Sequence, residues 1–196
     1  MHNLFTAENS VLLLIDHQVG TMQLIKNIPL DTVRRNTLAL AKAAKILELP
    51  VVLTSSQESN VQGPLMPELQ EILPEAFAAR IKRAGIVNAW NDINFKQTIE
   101  AIGRRNLIMA GVTTDVCLVY PSISAVQEGY NVQAVMDASG SPFELSEETS
   151  RRRMEKAGVV LTATNTVMAE LAQDWSKSHG SQLLQILFEE VLPKIG

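Results

Sequence analysis

An aspartate and a cysteine stand in this sequence at places where side-chain chemistry is favoured. Asp16 directly follows the apolar run 11–15, and Cys117, the single cysteine, comes shortly after a second apolar run at 107–110. An ionised carboxylate after a buried strand is costly to keep unless it is paired or has a role. A cysteine in the first turn of a helix is favoured as a thiolate, because the free N–H groups there attract negative charge. Both residues are therefore candidates for a catalytic site.

Each candidate also has an ordinary structural explanation. Asp16 can cap a turn, and a free cysteine most often packs as a small hydrophobic side chain. Asp115 lies in the same predicted turn as Cys117 and opposes a thiolate there, so a cation from elsewhere in the chain would help. Lys82 and Arg83 are the candidates for that cation, although either can equally be a solvated charge at a strand end.

Short apolar runs alternate along the chain with longer amphipathic segments. The runs are typical of strands buried on both faces, and they lie at 11–15, 51–53, 107–110, 132–136 and 159–161. Spacings of three and four predict helices over 30–47, 92–102, 114–128, 146–157 and 164–174, with Ser146 as a helix cap. The alternation predicts a six-stranded parallel sheet with helices on both faces, a Rossmann-like three-layer sandwich. No linker divides it, so residues 1–196 are expected to form one domain.

Ligands bind to sheets of this kind outside the carboxyl ends of the strands. Asp16, the segment 111–117 and Asp137 each follow an apolar run, so all three are expected at that edge. The position of Asp137 favours a structural role as much as a functional one.

Two segments break the alternation. The segment 55–74 carries Gly63 and three prolines and is too long for an ordinary connection, which predicts a lid, an interface loop or both. The tail 182–192 is predicted to be a helix with an apolar stripe, which needs a groove on its own chain or on a neighbour. Both features favour a homo-oligomer, because a lone subunit would leave them poorly covered.

Charge and missing motifs argue against several classes of protein. The net charge of -4 and the lack of a long basic run argue against a nucleic-acid partner. The dinucleotide motif G-x-G-x-x-G, the P-loop motif and the serine-hydrolase motif G-x-S-x-G are all absent. One cysteine and the scattered His2, His17 and His179 do not assemble a zinc site. With no apolar membrane span and no secretory signal pattern, the protein is expected to be cytoplasmic, without a membrane partner or a cofactor.

Five segments of the sequence together resemble the isochorismatase-like cysteine hydrolases, and within them the YcaC-like group. They are LLLIDHQ at 12–18, GPLMPEL at 63–69, GIVNAWND at 85–92, IMAGVTTDVC at 108–117 and VMDASG at 135–140. The string A-G-V-T-T-D-V-C is the most specific of them. The resemblance implies the isochorismatase-like fold and catalysis by a cysteine.

The resemblance implies a catalytic set of an aspartate, a basic residue and a nucleophilic cysteine. Carried over to this chain, these residues are Asp16, Arg83 and Cys117. The family more often has lysine at the basic position, and Lys82 is the reserve candidate, since neighbours on a strand point to opposite faces. Arginine is a permanent cation, whereas lysine can also exchange a proton, so this departure bears on the proton transfers.

The resemblance also describes the surroundings of the cysteine. It implies a cis peptide bond at Val112–Thr113, and the backbone amides near Thr113 and Cys117 are expected to stabilise an oxyanion. The residues expected to line a substrate pocket are Gln18, Asn88, Trp90, Val112, Thr113 and Tyr120. No metal is expected, because the histidine positions do not supply the ligands that the nicotinamidases of this superfamily use.

These expectations describe a hydrolase that cleaves a C–N bond of a small amide, imide or carbamoyl compound through a covalent Cys117 intermediate. The alternative is a catalytically silent scaffold or small-molecule binding protein, in which Arg83 marks the loss of activity. A phosphatase of the haloacid dehalogenase type is disfavoured, because Gln18 stands where a second aspartate is required. The YcaC-like resemblance further implies a homo-oligomer of tetrameric rings, up to an octamer.

Overall fold

The computed structural model describes residues 4–194, which are built around one six-stranded sheet. The strands are β1 (Ser10–Ile15), β2 (Val51–Ser56), β3 (Ile81–Arg83), β4 (Asn106–Gly111), β5 (Asn131–Val135) and β6 (Val160–Thr162). Their order across the sheet is β3-β2-β1-β4-β5-β6, and every neighbouring pair is parallel. The predicted six-stranded parallel sheet with helices on both faces is confirmed.

The sheet has a separate hydrophobic core on each face. Successive side chains of a strand point to opposite faces, and β1 shows this clearly. Leu12 and Leu14 belong to one core cluster, while Val11, Leu13 and Ile15 belong to the other. This two-sided burial explains why the strand reads as an unbroken apolar run.

Eight α-helices surround the sheet within residues 4–194. They are α1 (Leu30–Ile46), α2 (Pro67–Ile72), α3 (Pro74–Ala78), α4 (Ile93–Ile102), α5 (Val119–Gln127), α6 (Glu144–Lys156), α7 (Thr164–Ala172) and α8 (Ser178–Ile186). None of the helices in that part of the chain is both long and apolar enough to cross a membrane.

The tail helix α8 begins at Ser178 and not at residue 182, and two further helix starts differ from the sequence prediction. Helix α6 begins at Glu144, two residues before the predicted cap Ser146, whose hydroxyl instead donates to the carbonyl of Phe143. The segment after β4 first makes one π-helical turn, Thr114–Leu118, and only then continues as α5. The apolar spacing was correct in both regions, but spacing does not determine which residue ends the first turn.

The two irregular segments are largely folded onto their own chain. Part of the segment 55–74 is helical, as α2 and the start of α3, and Leu69 is buried there. The tail packs on the core of its own chain through Leu183, Ile186 and Leu187. The predicted groove for the tail therefore lies on the same subunit, and the tail stripe no longer argues for an oligomer.

Candidate active site

The strand order changes direction between β1 and β4, and the candidate residues lie at that place. Strands β2 and β3 extend from one side of β1, whereas β4, β5 and β6 extend from the other. In open parallel sheets such a switch point leaves a crevice at the carboxyl ends of the strands. Asp16 follows β1 directly, and Cys117 lies in the π-helical turn that follows β4. The topology thus brings together two residues that are 101 positions apart in sequence.

Asp16 and Arg83 form a buried ion pair at this edge. The guanidinium of Arg83 donates from Nη2 to a carboxylate oxygen of Asp16, and both side chains are almost completely buried. Arg83 Nε also donates to Thr54 Oγ1 at 3.1 Å, and Nη1 donates to the carbonyl of Ile86. Asp16 itself adopts a left-handed backbone conformation with φ of 59°, which few residues other than glycine take up.

Lys82 points away from this pair. Its side chain is 60% exposed, against 1% for Arg83, and its ammonium lies 3.4 Å from Glu58. Adjacent residues of β3 project to opposite faces, so only one of these two basic residues can reach Asp16. The structure places Arg83 in that position.

Cys117 lies beside the Asp16 carboxylate and is partly exposed to solvent. Burial raises the pKa of the Cys117 thiol well above its usual range, and the negative charge of Asp16 raises it further. The backbone N–H of Cys117 donates to the carbonyl of Thr113 at 2.7 Å. The direction of this pKa change is opposite to the expected stabilisation of a thiolate at the helix start, because burial and the Asp16 carboxylate both disfavour the charged form. That same hydrogen bond occupies the Cys117 amide that was expected to stabilise an oxyanion.

Burial also raises the pKa of Asp16, although the charge of Arg83 opposes that rise. A carboxylate of raised pKa is a better proton acceptor than an ordinary surface aspartate. The neighbouring peptide bond Val112–Thr113 is cis, as the resemblance implied.

A cavity of about 480 Å³ opens above these three side chains. Its size falls in the range of small-molecule sites. It is lined by Asp16, Gln18, Gly20, Thr21, Leu24, Ser56, Gln57, Val61, Gln62, Arg83, Gly85, Ile86, Val87, Thr113, Val116 and Cys117.

Comparison with known proteins assigns the family. The family model for the isochorismatase domain matches residues 10–166, which is well over half of the chain. The chain belongs to the isochorismatase family.

Relatives within this family include proteins named YcaC. The chain is 40% identical to the Escherichia coli protein named "Probable hydrolase YcaC" over 167 residues, which cover 85% of this chain and 79% of that protein. The crystal structure of the Escherichia coli YcaC gene product, described as an octameric hydrolase of unknown specificity, has a TM-score of 0.92 at 36% identity. That match covers 97% of this chain and 92% of the other. YcaC from Pseudomonas aeruginosa, solved with hexane-2,5-diol and covalent acrylamide, matches with a TM-score of 0.91 at 36% identity, over 97% and 93% of the two chains.

Of the six residues expected to line the pocket of this isochorismatase-family chain, Gln18 and Thr113 do so. Gln18 also ties the segment after β2 to the sheet: its Nε2 donates to the carbonyls of Ser56 and Gly63, and its Oε1 accepts from the N–H of Ser56. Its amide groups are thus already used by the protein, so Gln18 shapes the cavity wall.

The other four residues of that set do not line this cavity. Trp90 is buried in the core, with its ring edge-on to Phe95 and Tyr130, because a large apolar ring gains most from full burial. Val112 is fully buried in the other core cluster. The remaining two side chains are used in contacts elsewhere. Asn88 caps a turn and donates to Ser124, and Tyr120 lies under the guanidinium of Arg153.

Asp137, the other strand-end carboxylate, has a structural contact. Its Oδ1 accepts hydrogen bonds from the N–H and the hydroxyl of Thr164, each at 2.8 Å, at the start of α7. Among residues 4–194, no group of three or more His, Cys, Asp or Glu side chains is arranged to hold a metal ion.

Sequence reasoning missed the residues that the segment 55–74 and the turn after β1 contribute to the cavity, such as Leu24, Val61 and Gln62. One signal in the sequence was Gly20. A Cβ at Gly20 would meet the carbonyl oxygen of Val61 at 1.8 Å, so only glycine lets the two segments approach so closely. The N–H of Gly20 donates to the carbonyl of Gln62 at 2.8 Å and fixes that approach.

His17, next to Asp16, faces away from the cavity and gives a prediction about acid stability. It is fully buried, its Nε2 bonds the Ala138 carbonyl at 2.9 Å, and burial lowers its pKa to about 4. Between its unfolded pKa near 6.5 and about 4, the unfolded chain takes up a proton that the folded chain does not. The free energy of unfolding should therefore fall as the pH falls through this window, by up to about 3 kcal/mol from this residue.

Urea unfolding between pH 7 and pH 4 checks this expectation. His17→Gln should remove most of the loss that occurs between pH 6.5 and pH 4.5. His179→Gln, which changes a partly exposed histidine, should leave the profile as it is. An unchanged profile in His17→Gln would contradict the assignment.

Proposed function

We propose that this isochorismatase-family protein is a cysteine hydrolase that cleaves a C–N bond of a small amide, imide or carbamoyl compound. The observation that carries the proposal is the meeting of Asp16, Arg83 and Cys117 in the wall of one cavity. A nucleophile beside a base, with the base oriented by a third group, is the arrangement of covalent catalysis.

In the first step, Asp16 accepts the thiol proton while Cys117 Sγ attacks the carbonyl carbon of the substrate. A C–S bond forms and the carbonyl electrons move to oxygen, where the backbone N–H of Thr113 is the proposed donor. Burial raises the pKa of the thiol, so in this mechanism the proton transfer to Asp16 accompanies the attack.

In the second step, the tetrahedral intermediate collapses and the C–N bond breaks. Asp16 returns its proton to the leaving nitrogen, which departs as ammonia or an amine, and a thioester remains on Cys117. Water then attacks the thioester, gives one proton to Asp16, and the C–S bond breaks to release the acid. The proton on Asp16 returns to the thiolate and restores the starting state.

Arg83 holds the carboxylate in place and does not exchange protons. A guanidinium stays charged at any working pH, so Asp16 alone carries the proton in this scheme. The charge of Arg83 opposes the rise that burial causes in the pKa of Asp16, and so favours the ionised form that a base requires.

Two features of the relatives support the proposal. The Escherichia coli protein YcaC is named a probable hydrolase, and its crystal structure is described as that of a hydrolase of unknown specificity. The Pseudomonas aeruginosa relative was obtained with covalent acrylamide, an electrophile to which thiols add readily.

A catalytically silent scaffold is the second candidate, because an inert buried thiol also has a raised pKa. Turnover separates the two. The protein is incubated with a panel of small amides, imides and carbamoyl compounds, and intact-mass measurement looks for an acyl adduct on Cys117. Ammonia release together with such an adduct supports the hydrolase. If no compound of the panel gives ammonia release or an adduct, the result supports the scaffold.

Asp16→Asn is expected to lower turnover by roughly 10²-fold or more, because the amide keeps the shape but cannot accept the proton. The rate of ammonia release with the best substrate of the panel measures this loss. Asp115→Asn is the matched control, as it changes an aspartate two residues from Cys117 that the mechanism does not use. Equal losses in the two variants would contradict a base role for Asp16.

We further propose a cytoplasmic homo-oligomer with a small-molecule substrate, built from tetrameric rings and reaching an octamer. The support is the octameric Escherichia coli relative, since the tail of this chain is already covered by its own subunit. Sedimentation velocity at micromolar concentration should show a species of octamer mass, and a stable monomer would contradict the proposal.

A further inference from the structure

The charges in the cavity wall cancel each other. Asp16 and Arg83 are the only charged side chains among the described residues that line the cavity. The guanidinium is already bound to Asp16, to Thr54 and to the carbonyl of Ile86. A carboxylate or phosphate group of a ligand would lose its hydration on entering the cavity. No free cation in the wall would compensate for that loss, so binding of such a group is unfavourable in free energy.

The mouth of the cavity is apolar. Five apolar side chains that line it are exposed to solvent, and we call them the apolar collar: Leu24, Val61, Ile86, Val87 and Val116. They come from four separate parts of the chain: the turn after β1, the segment 55–74, the segment after β3 and the π-helical turn before α5. Single exposed apolar residues are ordinary, but a group that surrounds one cavity indicates a binding surface.

Three side-chain oxygens in the same wall have unused hydrogen-bonding capacity. The hydroxyl of Thr21, the side-chain carbonyl oxygen of Gln62 and Oδ1 of Asp16 are buried and have no hydrogen-bond partner. A neutral amide group carries both an N–H donor and a carbonyl acceptor, so it can satisfy groups of this kind. A few polar groups in an otherwise apolar cavity are what orients a small ligand.

From these observations we infer that the substrate is an uncharged small amide whose amide group lies at Cys117 and whose apolar substituent lies along the collar. Amides that carry a carboxylate or phosphate in that substituent are rejected. This inference rests on the proposed function, because it assigns the substrate class of the same site.

Three electrophiles of matched length test the inference on the full-length protein. N-propylacrylamide is neutral, N-acryloyl-β-alanine ends in a carboxylate, and N-(2-aminoethyl)acrylamide ends in an ammonium. In each case the sulfur of Cys117 bonds to the terminal alkene carbon and the thiol proton ends on the adjacent carbon, with nothing released. Intact-mass measurement gives the rate at which each reagent labels Cys117. This rate is divided by the rate at which the same reagent reacts with 2-mercaptoethanol at the same pH, which corrects for intrinsic reactivity toward thiols.

The neutral reagent should label Cys117 about tenfold or more faster than the carboxylate reagent on this normalised scale. Leu24→Lys and Val87→Lys each place a cation in the collar, and each should bring the two rates to within about threefold. Leu145→Lys is the matched control. It adds the same charge at an exposed apolar residue of α6 that does not line the cavity, and it should keep the wild-type ratio.

Two results would count against the inference in different ways. Equal normalised labelling by the neutral and carboxylate reagents would overturn the uncharged substrate class while leaving the nucleophile in place. Failure of all three reagents to label Cys117 would overturn the proposed function, and the substrate class with it. The same ratio change in Leu145→Lys as in the collar variants would overturn the role of the collar.

Discussion

Cys117→Ala and Cys117→Ser are expected to lower amide turnover by at least about 10³-fold while the protein stays folded. The physical reason is that neither variant can form the thioester: alanine has no nucleophile, and a serine hydroxyl is a far weaker one beside a single carboxylate. Neither change enlarges the side chain, and Cys117 is partly exposed, so packing loses little. Ammonia release and thermal unfolding of the same preparations measure the two quantities.

The matched control for this pair is Ser122→Ala, a change of similar size in α5 at a buried residue outside the cavity. It should retain most of the activity. Full turnover in Cys117→Ala would overturn the cysteine mechanism, and loss of the folded state in both Cys117 variants would show that the residue has a structural role.

Arg83→Ala is expected to lower the free energy of unfolding by about 3 to 5 kcal/mol at neutral pH, because it leaves a buried carboxylate without its partner. The pKa of Asp16, which burial already raises, should rise further once the opposing charge is gone. Asp16 then holds its proton and cannot act as the base, so alkylation of Cys117 should slow as well. Urea unfolding and the alkylation rate measure these two effects.

Two variants separate the charge of Arg83 from its shape. Arg83→Lys keeps the charge but loses the planar fork that reaches Asp16, Thr54 and Ile86 together, so it should restore stability and alkylation only in part. Lys82→Ala should change stability by less than about 0.5 kcal/mol, since Lys82 is exposed and its partner Glu58 is also bound by Arg80. A large effect in Lys82→Ala with none in Arg83→Ala would reverse the choice between the two.

The sequence by itself was enough for five of the six strands and for the longer helices. A strand that is buried on both faces has to be apolar throughout, so β1, β2, β4 and β5 were visible as short runs between amphipathic segments. Strand β3 has only one apolar residue, Ile81, and lies at the edge of the sheet, so the same criterion does not find it. The strand-end positions of Asp16 and Cys117 also followed from local pattern, because parallel strands all present their carboxyl ends at one edge.

Only the tertiary structure decided what surrounds those two residues. The pKa of Cys117 depends on burial and on the Asp16 carboxylate, which reaches it through the parallel pairing of β1 with β4 and not through sequence neighbours. The cavity wall likewise comes from segments distant in sequence, so Trp90 was expected there while Leu24 and Val61 were not. The types and spacing of residues determine which element a residue belongs to and which face of that element it takes. What it touches across elements depends on the order of the strands and on close approaches such as that of Gly20 to Val61, which single-sequence patterns do not encode.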